Sequence, residues 1–167
     1  MKPVIKYGLA AGVAIALGTI FLSGNLAQAQ APAVQYTSIK GEQTTQKALE
    51  GKVVLVNFWA TSCTGCMAEM PKLVETHKKY AEQGFQTVAV AMSYDPPQYV
   101  AAYTEQKQLP FFVALDVDGS LARQYGDVKL TPTSILIDKH GRIVQRYLGE
   151  PDFKQLHALI EEKLKEA

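Results

Sequence analysis

The period of the hydrophobic pattern changes from one segment of the chain to the next. The run Val53–Trp59 consists of β-branched, leucine and aromatic residues apart from one asparagine, and it follows Gly51 and Lys52. Such a run is typical of a strand buried on both faces, as in parallel or mixed sheets. Residues 64–83 instead carry apolar side chains at helical spacing, with lysines and glutamates on the other side. This segment is predicted to be a helix that Pro71 bends near its start.

The same alternation of strand and helix patterns continues to the end of the chain. Further strands are predicted at 36–39, 85–92 and 111–115, helices at 98–108, 120–125 and 151–165, and a hairpin at 133–148, with a short helix possible within 41–51. Strands that alternate with helices give parallel units with helices on both faces of the sheet, and the hairpin adds antiparallel strands. The predicted fold class is therefore α/β, with a central mixed sheet.

The N-terminal segment has a different pattern from the rest. Two lysines precede an apolar run at 7–22, and a small-residue triplet ends at Ala29. This order is typical of a secretory signal, so residues 1–29 are predicted to be a signal peptide, with an uncleaved membrane anchor as the alternative. Residues 30–35 then form a lead-in spacer, and 36–167 form the globular domain.

Composition supports one exported domain. The chain has 167 residues, 47% of them hydrophobic, which is enough for a single core. The net charge of +1 is spread along the chain without a basic stripe, which argues against nucleic acid as a partner. The only two cysteines lie three positions apart, so a bridge between them would close almost no loop and would add little stability. We therefore expect these cysteines to serve chemistry.

The cysteines are placed where a buried strand ends and a helix begins. At a helix N-terminus, unpaired backbone N–H groups and the positive end of the dipole stabilise a thiolate. Cys63 is therefore predicted to be the nucleophile, with a lowered pKa. Cys66 lies about one helical turn further on, where it can attack a mixed disulfide on Cys63 and release the partner.

Other roles for the pair fit the sequence less well. Zinc needs four ligands, and none of His77, His140 and His157 lies at ligand spacing. Haem attachment needs a histidine after Cys66, where Met67 stands. We predict no metal site and no cofactor other than the redox-active Cys63–Cys66 disulfide.

The segment from Val56 to Pro71, VNFWATSCTGCMAEMP, resembles the active-site segment of TlpA/ResA-type thioredoxin-like proteins. These are exported bacterial thiol-disulfide oxidoreductases, and the resemblance covers roughly residues 34–167. It implies a thioredoxin-like fold in which this branch of the family inserts an extra helix and strand, here at about 96–115.

The resemblance also implies roles for residues around the cysteines. Pro132 matches the family's cis-proline, whose preceding residue, Thr131, would pair with an extended substrate segment. Glu69 matches an acidic residue near the active site; partial burial would raise its pKa and suit it to exchange a proton with Cys66. Trp59 is expected to pack beside the site, with substrate contact as a second role.

Three positions depart from the family pattern. Ser62 stands where many members have a second tryptophan, and Asn57 replaces the buried aspartate of ordinary thioredoxins. The pair between the cysteines, Thr64 and Gly65, lacks proline and is predicted to tune the redox potential. Because Asn57 cannot act as a base, the proton-transfer role shifts to Glu69.

The resemblance implies a periplasmic reductant of exported client proteins, such as apocytochrome c or metal-site assembly proteins, which a membrane electron donor recharges. We expect the protein to be a monomer. Three alternatives remain open. An oxidant that donates disulfides would use the same motif, since this fold spans about −270 to −120 mV. A thiol peroxidase would need proline seven residues before its cysteine, where Val56 stands. A copper metallochaperone would bind metal through the cysteines and a methionine.

Overall fold

The computed structural model describes residues 29–166. The strands are β1 (Gln35–Thr37), β2 (Gln43–Thr45), β3 (Val53–Trp59), β4 (Phe85–Ala91), β5 (Phe112–Leu115), β6 (Thr133–Ile137) and β7 (Ile143–Leu148). The α-helices are α1 (Thr64–Tyr80), α2 (Pro97–Lys107), α3 (Ser120–Gln124) and α4 (Phe153–Lys165). Short 3-10 helices lie at Lys47–Leu49 and Ala81–Gln83.

A five-stranded sheet in the order β5-β4-β3-β6-β7 forms the centre of the domain. Strands β3, β4 and β5 run parallel, while β6 and β7 are antiparallel additions. The prediction of a mixed sheet is confirmed, and so is the additional helix and strand, which are α2 and the edge strand β5. This topology, with a strand–CxxC–helix unit at its centre, is that of a thioredoxin-like fold.

Strand β3 is buried along its whole length and divides the core into two layers. Val54, Val56 and Phe58 pack in a cluster with residues of α3 and β1, on one face of the sheet. Leu55 and Trp59 pack in a second cluster with residues of α1, α2 and α4, on the other face. The alternation of side chains along a strand explains this division, and helices cover both faces as predicted.

The segment before β1 differs from the prediction. Residues 30–35 are not a free spacer: Gln30 forms an antiparallel bridge with Arg142, the Ala31 N–H donates to the Gly141 carbonyl across 2.8 Å, and Val34 is buried. The packed domain therefore begins before residue 36, because backbone pairing anchors even this polar segment. The predicted signal peptide lies almost wholly outside the described residues.

A second difference is strand β2, which the sequence analysis did not predict. Its residues are polar, and it pairs only with β1. The predicted short helix that follows is present as the 3-10 turn at Lys47–Leu49. Within residues 29–166, no helix is both long and apolar enough to cross a membrane.

Candidate active site

Cys63 is the N-cap residue of α1, as predicted. Its backbone is extended (φ −89°, ψ 106°), and its Sγ accepts a hydrogen bond from the Cys66 backbone N–H across 3.1 Å. This N–H is one of the donors that the first turn of a helix leaves without a partner within the helix. The sulfur thus lies at the positive end of the helix dipole, in the environment that stabilises a thiolate.

The two cysteines differ in access to solvent. Cys63 is half-buried, whereas Cys66 is only 2% exposed. They form a disulfide, with their Cα atoms 5.2 Å apart. An incoming substrate can therefore reach only the sulfur of Cys63, and Cys66 lies behind it at bonding distance. An attacking and a resolving cysteine require this arrangement, and the assignment of these roles to Cys63 and Cys66 stays a prediction.

The loop before β6 lies against the cysteine motif. The Thr131–Pro132 peptide bond is cis, as the resemblance implies. A methyl group added at Gly65 would lie 3.5 Å from the Pro132 Cδ, so the proline ring lies beside the backbone between the cysteines. Thr131 is half-buried beside it. The structure therefore brings Thr131 and Pro132 together with the predicted redox-tuning pair, Thr64 and Gly65, both exposed in the first turn of α1.

Glu69 is buried more deeply than the sequence analysis predicted. Its side chain is 0% exposed, and its Oε1 accepts a hydrogen bond from the Asn57 Nδ2 across 3.1 Å. The same amide nitrogen donates to the Ser134 Oγ across 2.9 Å. Glu69 follows Cys66 by three residues in α1, so the two side chains lie on neighbouring turns of one helix face.

Burial raises the pKa of Glu69 to about 7, and the negative charge of Glu150 adds to this effect. The Ser134 hydroxyl and the positive charge of Lys72 act in the opposite direction. Lys72 and Glu150 are themselves an ion pair at the surface. Near neutral pH the carboxyl group is therefore divided between its protonated and ionised forms, which suits proton exchange.

Trp59 does not have the predicted contact with substrate. It is 0% exposed, and its ring packs against that of Tyr103 with the ring centroids 5.4 Å apart. The last position of a strand buried on both faces leaves no surface for a partner. The substrate-binding role is therefore wrong in this structure, and the packing role is the one that the structure supports.

Two polar residues near the site were missed at the level of sequence. Ser134, in β6, completes the network of Asn57 and Glu69. Asp95 is only 5% exposed and accepts two hydrogen bonds from Thr61, two residues before Cys63. No local sequence pattern indicates a role for Ser134 or Asp95, because their hydrogen-bond partners lie 77 and 34 residues away in the chain.

The described part of the chain shows no group of three or more His, Cys, Asp or Glu side chains placed to hold a metal ion. What the site offers is a disulfide-bonded cysteine pair at a helix N-terminus, a cis-proline and a buried carboxyl group with a near-neutral pKa. On this fold, those features define a thiol-disulfide oxidoreductase.

Comparisons with known proteins agree with this class. The family model described as Redoxin matches residues 26–160. The chain is 37% identical over 131 residues to a thiol-disulfide oxidoreductase ResA of Bacillus thuringiensis subsp. konkukian, covering 78% of this chain and 75% of that protein. It is 33% identical over 152 residues to the ResA of Halalkalibacterium halodurans, covering 87% and 85%. The chain therefore belongs to the Redoxin family and to its ResA-type thiol-disulfide oxidoreductases.

A solved structure gives the same result. The crystal structure of a thiol:disulfide interchange protein of the thioredoxin family from Chlorobium tepidum superposes with a TM-score of 0.75 at 25% identity. The match covers 82% of this chain and 97% of that one. The fold and the class of chemistry thus agree with the geometry of the cysteine site.

Proposed function

We propose that this protein is a periplasmic reductant that reduces disulfides in exported client proteins through Cys63 and Cys66. The observation that carries the proposal is the difference between the two sulfurs: one accessible at a helix N-terminus and one buried behind it. The family resemblance supports reduction as the direction, with apocytochrome c or metal-site assembly proteins as clients. The dithiol carries both electrons, so the reaction needs no further cofactor.

The exchange proceeds in two steps. The Cys63 thiolate attacks one sulfur of the client disulfide; that S–S bond breaks, and the other client sulfur leaves and takes up a proton. Cys66 then loses its proton and attacks the Cys63 sulfur of the mixed disulfide. The second client sulfur leaves and takes up a proton. The client disulfide is thereby reduced by two electrons, and the Cys63–Cys66 pair is oxidised to a disulfide. A membrane electron donor would restore the dithiol.

Glu69 is the proposed acceptor of the Cys66 proton. Both groups are buried on one side of α1, where no bulk water competes for the proton. A carboxyl group with a pKa of about 7 can accept this proton and return it at neutral pH. Thr131 and Pro132 are proposed to bind the client as an extended segment beside the cysteines. If Glu69→Gln left the rate and pH profile of exchange unchanged, the proposed role of Glu69 as proton acceptor would be wrong.

The clients can be captured by removing the resolving sulfur. The variant Cys66→Ala should hold client proteins as mixed disulfides on Cys63, released by reductant and identifiable by mass spectrometry. The matched control Cys63→Ala should hold none, because its remaining sulfur is buried. Equal capture by the two variants would contradict the assignment of the attacking sulfur.

The direction of electron flow can be measured separately. Equilibration against glutathione buffers, followed by thiol trapping, gives the redox potential. A redox potential well below that of the client disulfides supports a reductant, whereas a value near −120 mV would identify an oxidant. Fractionation of the native host tests the location, and gel filtration of the mature chain tests the proposed monomer.

A further inference from the structure

The turn between β4 and α2 contacts the loop that carries Cys63. The two carboxylate oxygens of Asp95 accept hydrogen bonds from the Thr61 backbone N–H and the Thr61 hydroxyl, each across 2.6 Å. Thr61 lies in the tight turn that the Cys63 N–H closes onto the Ala60 carbonyl across 3.1 Å. Asp95 therefore holds the turn that leads directly to the nucleophile, through charge-assisted bonds of the stronger kind.

Asp95 is itself fixed to the central sheet. Its N–H donates to the Met92 carbonyl across 3.0 Å, and the Met92 N–H donates to the Trp59 carbonyl across 3.0 Å. Through these hydrogen bonds, Asp95 joins the ends of β3 and β4, the two neighbouring strands at the centre of the sheet. Because the side chain of Asp95 is almost wholly buried, solvent does not compete for its hydrogen bonds.

The same turn also reaches the cis-proline loop. The Tyr94 hydroxyl lies 3.3 Å from the Thr131 Oγ1, and the Pro132 ring lies beside Gly65 between the cysteines. Neighbouring residues of one turn therefore contact both loops between which a substrate disulfide must be presented. A shift of this turn would change the separation of Cys63 from the cis-proline.

We propose that Asp95 is a positioning residue for thiol-disulfide exchange, which acts through Thr61 to hold the Cys63 sulfur in its attacking orientation. Attack on a disulfide requires the thiolate to approach along the S–S axis, so a loop fixed in advance lowers the entropic cost of that alignment. The inference goes beyond the proposed function, since it applies whichever way the electrons flow.

The test is the rate constant for reduction of a small aromatic disulfide by the reduced protein, taken at the high-pH plateau where Cys63 is fully ionised. The plateau removes any effect of Asp95 on the ionisation of Cys63, so only orientation remains. Asp95→Ala should lower this rate constant about tenfold, since loss of alignment is costly. Asp95→Asn should restore most of it, because an amide can accept from the Thr61 N–H and donate to its hydroxyl oxygen.

Thr61→Val provides a second, milder variant that keeps the backbone hydrogen bond. It should lower the plateau rate constant about threefold, and the double variant with Asp95→Ala should be no slower than Asp95→Ala alone. If Asp95→Ala fails to fold, Thr61→Val decides the matter. An unchanged plateau rate in a folded Asp95→Ala or in Thr61→Val, or effects of the two that multiply, would overturn the proposal.

Asp138 offers a matched control. It is 1% exposed and likewise holds a turn, accepting from the His140 and Arg142 backbone N–H groups across 2.9 Å each, but at the opposite end of the sheet. Asp138→Ala should lower the melting temperature and leave the plateau rate of the folded protein unchanged. A loss of rate equal to that of Asp95→Ala would show that general loosening, and not positioning, is the cause, and would overturn the proposal. The redox potential tests the direction of reaction independently.

Discussion

The Asn57 amide nitrogen donates a hydrogen bond to the Glu69 carboxyl group across 3.1 Å in the interior of the protein. The partner of this buried carboxyl group is thus a neutral amide and not a cation, and its second oxygen, Oε2, has no hydrogen-bond partner within the described residues. The hydrogen bond from Asn57 favours the ionised carboxylate, but burial and the negative charge of Glu150 outweigh it. These two effects explain why a carboxyl group beside the cysteines has a pKa of about 7.

The raised pKa predicts how the stability of the oxidised protein depends on pH. The pKa of Glu69 is about 7 in the fold against 4.5 for the free side chain, so the unfolded chain loses this proton first as the pH rises. Glu69 therefore costs no stability below about pH 4.5, and the cost grows until the pH passes about 7. Glu69→Gln removes the ionisation, and its stability relative to the native protein should rise over this range by up to about 3 kcal/mol.

Urea denaturation of the two oxidised proteins at pH 4, 6 and 8 measures this difference. Glutamine keeps an oxygen that can accept from Asn57, so the substitution changes the charge with little change in shape. A difference in unfolding free energy that is constant with pH would show that Glu69 has an ordinary pKa in the fold.

The surface ion pair of Lys72 and Glu150 predicts opposite effects of two substitutions on the pKa of Glu69. Glu150 raises the pKa of Glu69 and Lys72 lowers it. Glu150→Gln should therefore lower the pKa of Glu69, and Lys72→Gln should raise it. Carbon-13 NMR titration of the Glu69 carboxyl group measures both. Each variant is the control for the other, because both break the same ion pair; shifts of the same sign would contradict the electrostatic explanation.

Replacing Asn57 by aspartate should couple two buried carboxyl groups. Two such groups at the 3.1 Å separation of the present hydrogen bond cannot both ionise readily. Asn57→Asp should therefore titrate as a pair with two apparent pKa values, one of them above that of Glu69 in the native protein. It should also be less stable at pH 8 than at pH 5, measured by thermal unfolding. Asn57→Gln, which adds no charge, should show a single titration.

Substitutions at Gly65 test how closely the cis-proline lies to the cysteine motif. A methyl group here would be in ordinary contact with the Pro132 Cδ, at 3.5 Å. Gly65→Ala should therefore fit and stabilise the helix by up to about 1 kcal/mol, because alanine has the higher helix propensity.

Gly65→Val, with two further carbon atoms, should instead press on Pro132. It should slow the reduction of a protein disulfide more than that of a small aromatic disulfide, since only the protein substrate needs the cis-proline loop. Comparison of the two substrates with the Ala and Val variants checks this. Equal slowing of both substrates by Gly65→Val would mean that Pro132 does not bind the protein substrate.

The elements that could be predicted from sequence are those with a strong local pattern. Strand β3 is apolar apart from Asn57, and α1 has helical spacing and a cysteine at its N-cap, so the strand–CxxC–helix unit was predictable with close bounds. Strand β2 was not, because its polar residues form a strand only through pairing with β1.

The polar network of the site depends on contacts that no local pattern reveals. The sequence predicted only partial burial for Glu69, and its full burial results from packing of α1 against Asn57 and Ser134 of two strands. Asp95 precedes two prolines, a pattern that indicates only the start of a helix. Its bond to Thr61 exists because parallel strands β3 and β4 end side by side.

The bridge between Gln30 and Arg142 determines where the described chain begins in space. Arg142 precedes Ile143, which pairs with Ile137 at the end of the sheet remote from Pro132. The polypeptide consequently joins the described domain at the pole opposite Cys63. This junction leaves the approach of large partners to the reactive sulfur unobstructed.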